Sequence, residues 1–338
     1  MTTIVTGAAG FVGLNIVEAL LSRGEDVVAF DLAPPPLAAR AEFASRPGRL
    51  RVVEGDVRDD GALAALFRNA GPARLVHAAA VTAGEEREAR DPQSIVSVNV
   101  GGTAAVLQAA QRSRVGRIVC LSSGSAYGES LFGAGPLHEE ATPARPATLY
   151  GITKFAAEKV ALRLRALWGL DLACARLGSV FGPWEYGSAA RDHVSAFMQL
   201  ACCAATGRPA LLPPNIPRKD WIYARDVGTG IVALLEAGAP AHALYNLGAG
   251  CDWDGAIAAW CACLQSVYNG FEHRTANPGE RVNVSFTEPQ DRALMDTGRI
   301  AADIGFRAGY PPQRALDDFA DWLRRIPRWP QYGGGKHE

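Results

Sequence analysis

The chain has no run of basic residues, no apolar stretch near the roughly twenty residues a bilayer requires, and no paired Cys-x-x-Cys spacing. Without a basic patch, and with a formal net charge of −1, nothing in it is suited to a nucleic-acid backbone. Without a long apolar run no membrane segment is expected, and no signal-peptide pattern precedes the first strand, so a cytoplasmic location is the default. The seven cysteines, Cys120, Cys174, Cys202, Cys203, Cys251, Cys261 and Cys263, form an odd set and are read as reduced, mostly buried thiols. Cys251, Cys261 and Cys263 lack a spaced His or Cys to complete a zinc site, so no metal is expected. There is no internal repeat, and the only low-complexity pieces are Pro34-Pro-Pro36 and a polar glycine tail over 331–338 that is expected to be loose.

What the chain does have is 338 residues, 48% of them hydrophobic, enough for one large core or two small ones. It opens with a β-branched run, Thr3 to Thr6, then Gly7-x-x-Gly10-x-x-Gly13, then an apolar-periodic helix from Phe11 to about Ser22. Gly7 permits a tight turn, Gly10 lets a pyrophosphate approach the backbone, and Gly13 allows close helix packing. The first helical residues, Phe11, Val12 and Gly13, then offer free N–H groups to phosphate oxygens. A second strand ends in Asp31, where a carboxylate would bind a ribose 2′-hydroxyl. It would repel a 2′-phosphate, and Leu32-Ala-Pro-Pro-Pro36 brings no arginine to offset this, so NAD is expected over NADP.

Arg51–Val53, Leu75–His77, Arg117–Leu121 and Leu244–Leu247 read as further strands, separated by helical stretches such as 61–69 and 98–114. The alternation predicts an α/β fold, a doubly wound parallel sheet whose ligands lie at the carboxyl ends of its strands. Asp56 and Val57 are then expected at the adenine, and Ala78, Ala79 and Ala80 along the cofactor. His77, beside small alanines, is expected to pack structurally. Tyr150 and Lys154 are four apart and share one helix face, so the ammonium can favour the ionised phenol.

These matches resemble an extended short-chain dehydrogenase/reductase of the NAD-dependent epimerase/dehydratase family. They comprise the glycine loop, Asp31, Gly55-Asp56-Val57, His77-Ala-Ala-Ala80, Val98-Asn99-Val-Gly101, Ser122-Ser123-Gly-Ser125-Ala-Tyr-Gly128 and Tyr150-x-x-x-Lys154. The resemblance implies a Rossmann-type fold, NAD as cofactor, Tyr150 as acid/base, Lys154 as its electrostatic partner and ribose ligand, and Ser123 as the hydroxyl that orients the reacting oxygen. It further implies Asn99 as support for the catalytic helix and proton relay, Ser125 as either a pocket residue or a turn cap, and a homodimer formed through helices beginning near Gln93 and Tyr150.

The same resemblance narrows the reaction. Gly124 and Ser125 stand where 4,6-dehydratases carry an Asp-Glu pair, which argues against that chemistry. Ser179, Lys219 and Asn277 stand where nucleotide-sugar epimerases carry an asparagine and two arginines that grip pyrophosphate. Lysine cannot reproduce arginine's fork, although Arg218, Arg274 or Arg281 lies close enough to substitute. The expected substrate is therefore a smaller sugar, sugar acid or lactone oxidised at a secondary alcohol. A UDP-sugar 4-epimerase with tightly held NAD is the alternative, and a non-catalytic NAD sensor a second. Ser125, Ser179, Trp184 and Lys219 are the expected substrate contacts. Pro183-Trp-Glu-Tyr186 reads either as an aromatic platform with a carboxylate or as a packed loop, and His193 as a helix-surface residue. Residues 1–178 with about 215–248 form the expected cofactor-binding part, and 179–214 with 249–330 a smaller, interleaved C-terminal substrate-binding lobe.

Overall fold

A computed structural model describes residues 2–71, 74–238 and 240–329. The expected tail over 331–338 lies outside the described residues. The first half alternates as β1 (Thr2–Thr6), α1 (Phe11–Ser22), β2 (Asp26–Asp31), α2 (Leu37–Phe43), β3 (Leu50–Glu54), α3 (Asp60–Ala70) and β4 (Arg74–His77). Then come α4 (Glu85–Arg90), α5 (Pro92–Val96), a π-helical turn over Ser97–Gly102, α6 (Thr103–Arg112), β5 (Arg117–Ser123), two 3₁₀ turns over Gly124–Tyr127 and Glu129–Phe132, and α7 (Leu149–Trp168). The remainder is β6 (Leu172–Leu177), β7 (Ser179–Phe181), α8 (Ala196–Ala205), β8 (Ala210–Leu212), β9 (Trp221–Tyr223), α9 (Ala224–Glu236), β10 (Leu244–Leu247), α10 (Ala256–Val267), β11 (His273–Thr275), α11 (Gly298–Ile304) and α12 (Pro312–Arg325).

Seven strands form one parallel sheet in the order β10-β6-β5-β4-β1-β2-β3. Both faces are covered, as the near-continuous apolar strands require. Val5, Val27, Val76 and Val119 face one core with α1 and α9. Their neighbours Ile4, Val28, Leu75 and Ile118 face the other, with α3, α6 and α7. Side-chain alternation along the pleat thus splits each apolar run between two layers. The order reverses between β1 and β4, and the crevice at that switch point is where such sheets bind ligands.

Local signals set the elements that matter most to the site. Thr148 caps α7 by accepting the Gly151 N–H, and Gly169 ends that helix in the left-handed region at φ 64°. The expected helix over 98–114 is instead broken by the π-helical turn, which carries Asn99. Strand β6 was not anticipated, because Leu172-Ala-Cys-Ala-Arg-Leu177 is rich in small residues and has no β-branched residue to mark it.

Beyond the sheet, β7 pairs with β9 and β8 with β11. Around them Phe181 stacks on Phe197 at 3.9 Å and Trp260 on Phe319 at 4.7 Å. Among the described residues, no helix is long and apolar enough to cross a membrane.

Candidate active site

The glycine loop turns where the sequence requires it. Gly7 has φ +68°, and a Cβ there would lie 2.5 Å from the Ala79 nitrogen; one at Gly13 would lie 2.0 Å from the Gly7 carbonyl oxygen. A Cβ at Gly10 would meet only that oxygen, at 3.3 Å, so this side of the loop is open. Gly10 is the N-cap of α1 and supplies no side-chain acceptor, leaving the first-turn N–H groups free for an anion. Asp31 accepts the Ala9 and Leu32 N–H groups at 2.8 and 2.7 Å and so borders the same loop. Burial raises its carboxyl above the usual value, opposed by these backbone donors. An open phosphate cradle with a carboxylate beyond it fits a dinucleotide.

The other expected cofactor residues have distinct settings. The Ala78 N–H donates to the Thr6 carbonyl at 3.1 Å, and Ala79 and Ala80 are half-buried beside Gly7. Val57 is buried under the π-helical turn, where a Cβ at Gly102 would lie 2.7 Å from its Cγ2. Asp56 is gripped by Arg58, whose Nε reaches both carboxylate oxygens at 3.0 and 3.1 Å. This fork lowers the Asp56 pKa, and sequence reasoning had not included Arg58.

Asn99 is buried and fully engaged. It accepts the Val81 N–H at 2.7 Å and donates to the Val81 carbonyl and to Thr153 Oγ1 at 3.1 and 3.0 Å. Thr153 in turn donates to the Leu149 and Tyr150 carbonyls. The π-helical turn therefore fastens the loop after β4 to the first turn of α7. On that helix Lys154 is buried and donates to the Leu121 carbonyl at 2.6 Å, while the Tyr150 N–H donates to Glu88 Oε1 at 3.0 Å. Ser123 ends β5 and accepts the Ser125 N–H at 3.1 Å. Ser125 is half-buried, and its carbonyl packs on Gly151, where a Cβ would approach to 2.6 Å. The serine turn thus abuts the helix turn that carries Tyr150.

His77 is enclosed. Its Nδ1 lies 2.7 Å from Thr6 Oγ1 and its Nε2 3.1 Å from Thr103 Oγ1. Burial, helped by the Lys154 charge, pushes its pKa down to about 3, so the ring is neutral and packs structurally, as expected.

A cavity of about 140 Å³ includes Ser179, Arg191, His193, Lys219, Glu288 and Arg292 in its lining, and none of Ser123, Ser125, Tyr150 and Lys154. Lys219 donates to Glu288 Oε2 and to the Glu288 carbonyl, both at 2.8 Å. Burial lowers the Lys219 pKa. Arg292 reaches Glu288 Oε1 at 2.5 Å and Ser179 Oγ at 3.2 Å. Burial acts to raise the Glu288 carboxyl, but Arg292 and Lys219 outweigh it and hold the pKa below its usual value. Ser179 and Lys219 therefore do meet in one cavity.

The other substrate expectations need correction. Trp184 is 1% exposed, donates from Nε1 to Glu18 Oε2 at 2.7 Å, and packs against Phe43, Trp322 and Trp329. It is a core residue, since a large apolar ring gains more from enclosure than a loop position suggests. Glu185 and Tyr186 likewise belong to a packed loop. Glu185 is fully buried against Arg191 and Ser195, and the Tyr186 hydroxyl donates to the Ala9 carbonyl at 2.7 Å. His193 is not on a helix: α8 starts later, capped by Ser195, and the His193 ring lies against Gly84 at the cavity.

None of the arginines expected to compensate lines the cavity. Arg218 lies 3.6 Å from Asp252, Arg274 is paired with Glu280, and Arg281 is exposed. Asn277 sits on an exposed turn and donates its N–H to Glu280. Arg191 and Arg292 stand in the cavity instead, and only the fold reveals them. Glu288 and Arg292 lie in an irregular segment about seventy residues beyond Lys219, with no local pattern to flag them.

A glycine loop open to an anion, a carboxylate bordering it and a Tyr-x-x-x-Lys helix at the same sheet edge define a dinucleotide-binding fold of the extended short-chain dehydrogenase/reductase type. Residues 3–248 match the model of the NAD-dependent epimerase/dehydratase family, and the chain belongs to that family. Among curated proteins it is 36% identical over 190 residues to UDP-glucuronate 4-epimerase 6 of Arabidopsis thaliana, covering 54% of this chain and 40% of that protein. It is 37% identical over 186 residues to sterol demethylase protein B of Methylococcus capsulatus, covering 55% and 53%. The chain thus spans about half the length of these two relatives. Among solved structures, MoeE5 in complex with UDP-glucuronic acid and NAD superposes with a TM-score of 0.75 at 25% identity, over 96% of this chain and all of that one.

Proposed function

We propose that this protein oxidises a secondary alcohol of a sugar-like substrate, a sugar, sugar acid or lactone, with Tyr150 as acid/base. The observation that carries the reading is the Asn99–Thr153 anchor, which holds the start of α7 against the loop after β4, at the crevice that the glycine loop borders. Ser123 holds the reacting oxygen, and Tyr150, with Lys154 one turn along the same helix face, takes its proton. NAD, held at the glycine loop and Asp31, would supply the hydride acceptor for the carbon that bears this oxygen, so that with the proton on Tyr150 the product would be a ketone. The segment over 183–195 braces the glycine loop and the start of α1. There the Pro183 carbonyl accepts from Asn15, Tyr186 holds Ala9, and the Arg191 guanidinium lies 5.1 Å above the Phe11 ring.

Replacing Tyr150 with Phe removes the proton carrier, and kcat should fall by roughly 10²–10⁴. Near-normal turnover in Tyr150→Phe would end the proposal.

A second reading is supported by the relatives: re-reduction of the ketone before release, as in a UDP-sugar 4-epimerase. Nicotinamide content after extensive dialysis separates the two. Stoichiometric retention favours the epimerase, which regenerates its cofactor within each turnover, and reversible exchange favours the dehydrogenase.

A cytoplasmic homodimer completes the proposal. Val96 and Ile152 are 45% and 44% exposed, near half-buried Val100, Ala104 and Ala156 on the helices expected to join two copies. Covering such a stripe favours association, and sedimentation as a monomer at micromolar concentration would refute it.

A further inference from the structure

We infer that Glu288 is a specificity-determining residue, an internal carboxylate that already occupies the cations of the substrate cavity and restricts it to substrates without a pyrophosphate. This rests on the reading that the cavity beside Ser179 receives the substrate, and it names the substrate class. Glu288 uses both carboxylate oxygens, Oε2 on Lys219 at 2.8 Å and Oε1 on Arg292 at 2.5 Å. The third lining cation, Arg191, is held by Glu185 at 2.7 Å. A nearby carboxylate adds to the balance: Asp291, which accepts the Arg218 N–H, acts on Lys219 as well. Each of the three lining cations is thus already ion-paired, two of them sharing Glu288, which weakens the attraction left for a ligand that brings two more negative charges.

A pyrophosphate would have two ways in, both unfavourable. It could displace Glu288 and leave that carboxylate partly buried without its partners, or lie beside it in a site where like charges are poorly screened. Lys219 adds to the discrimination, because an ammonium offers no fork for phosphate oxygens. The remaining lining suits uncharged hydroxyls. Ser179 and Thr287 supply hydroxyls, Trp221 and Phe286 supply apolar surface, and Glu288 itself can accept sugar O–H groups. The Nε–H groups of Arg191 and Arg292, both lining residues, are buried without partners.

The test reads binding, so it is independent of turnover. NAD-loaded full-length protein is titrated calorimetrically with UDP and with inorganic pyrophosphate. Wild type should bind both more weakly than about 1 mM. Glu288→Gln, which frees Lys219 and Arg292, should bind pyrophosphate at least about tenfold more tightly. Glu288→Ala should gain similarly, and adding Arg292→Met should cancel the gain. Micromolar binding of UDP by wild type, or no gain in either Glu288 variant with an unchanged melting temperature, would overturn the inference. Both results leave the role of Tyr150 untouched. Normal turnover in Tyr150→Phe would instead remove the catalytic reading and leave the selectivity of the cavity standing.

Discussion

The pair Arg176–Glu158 lies one helical turn behind Lys154, and removing one partner should be far more damaging than removing both. Their side chains are 2% and 0% exposed. The guanidinium grips Glu158 through Nε at 2.8 Å and NH2 at 2.7 Å, donates from NH1 to the Glu139 carbonyl at 3.1 Å, and lies 4.4 Å from the Tyr127 ring centre. In Arg176→Met the Glu158 carboxylate keeps only the Ser122 hydroxyl, at 2.8 Å, as a donor. An uncompensated buried charge of this kind costs about 3–5 kcal/mol. In a chain of this size that corresponds to a fall in melting temperature of about 4–7 °C. The double variant Arg176→Met/Glu158→Leu removes the stranded charge and should recover most of the loss, because a buried ion pair adds little over apolar packing. Thermal unfolding of wild type, both single variants and the double variant closes the cycle. The reasoning is refuted if Arg176→Met loses less than about 1 kcal/mol, or if the double variant is as unstable as the sum of the singles.

Trp184→Ala should lose about 3–5 kcal/mol of stability from the cavity it leaves, with KM nearly unchanged; a large KM effect at full stability would restore Trp184 to the substrate site. Asp31→Ser removes the ribose carboxylate and should weaken NAD binding by roughly 10- to 100-fold, the worth of a charged hydrogen bond, while narrowing the preference over NADP. Equal loss for both cofactors in a fluorescence titration would count against that role. Burial raises the Asp220 carboxyl to about 7 from 3.8, so between those values the unfolded chain has lost a proton that the folded one keeps, and stability falls as pH rises through that window. Asp220→Asn should abolish that fall, so wild type minus variant should slope downward by up to about 1.4 kcal/mol per pH unit from roughly pH 4 to 7. Urea denaturation across that range measures the difference, and a flat one would show that Asp220 titrates normally.

The turn of the glycine loop and the helix that carries Tyr150 and Lys154 were legible in the sequence because both are written in short local spacings. Three glycines at three-residue intervals can only form their turn in one way, and Tyr150 and Lys154 share a face on any helix. Of the cavity, Ser179 and Lys219 were named from the sequence, whereas Glu288 and Arg292 join them only after the chain has folded back across about a hundred residues. Trp184 was misread for a related reason. An aromatic in a Pro-Gly-rich loop has the same local signature whether it covers a ligand or fills a core, and only Glu18, Phe43 and Trp322, distant in sequence, decide between them. Strand β6 escaped because small residues suffice where both neighbours and both faces are already supplied.

The bracing of the glycine loop from residues 183 and 186 bears on how the chain matures. As it leaves the ribosome, the first 178 residues include the whole glycine loop but lack α9, which covers α1, and β10, which closes the sheet beside β6. They also lack the Pro183 and Tyr186 contacts to Asn15 and Ala9. The nucleotide cradle is therefore fully supported only once about 250 residues have been synthesised. A fragment cut at residue 178 would expose the apolar face of α1, so the cofactor-binding half is not a module that can be transplanted alone.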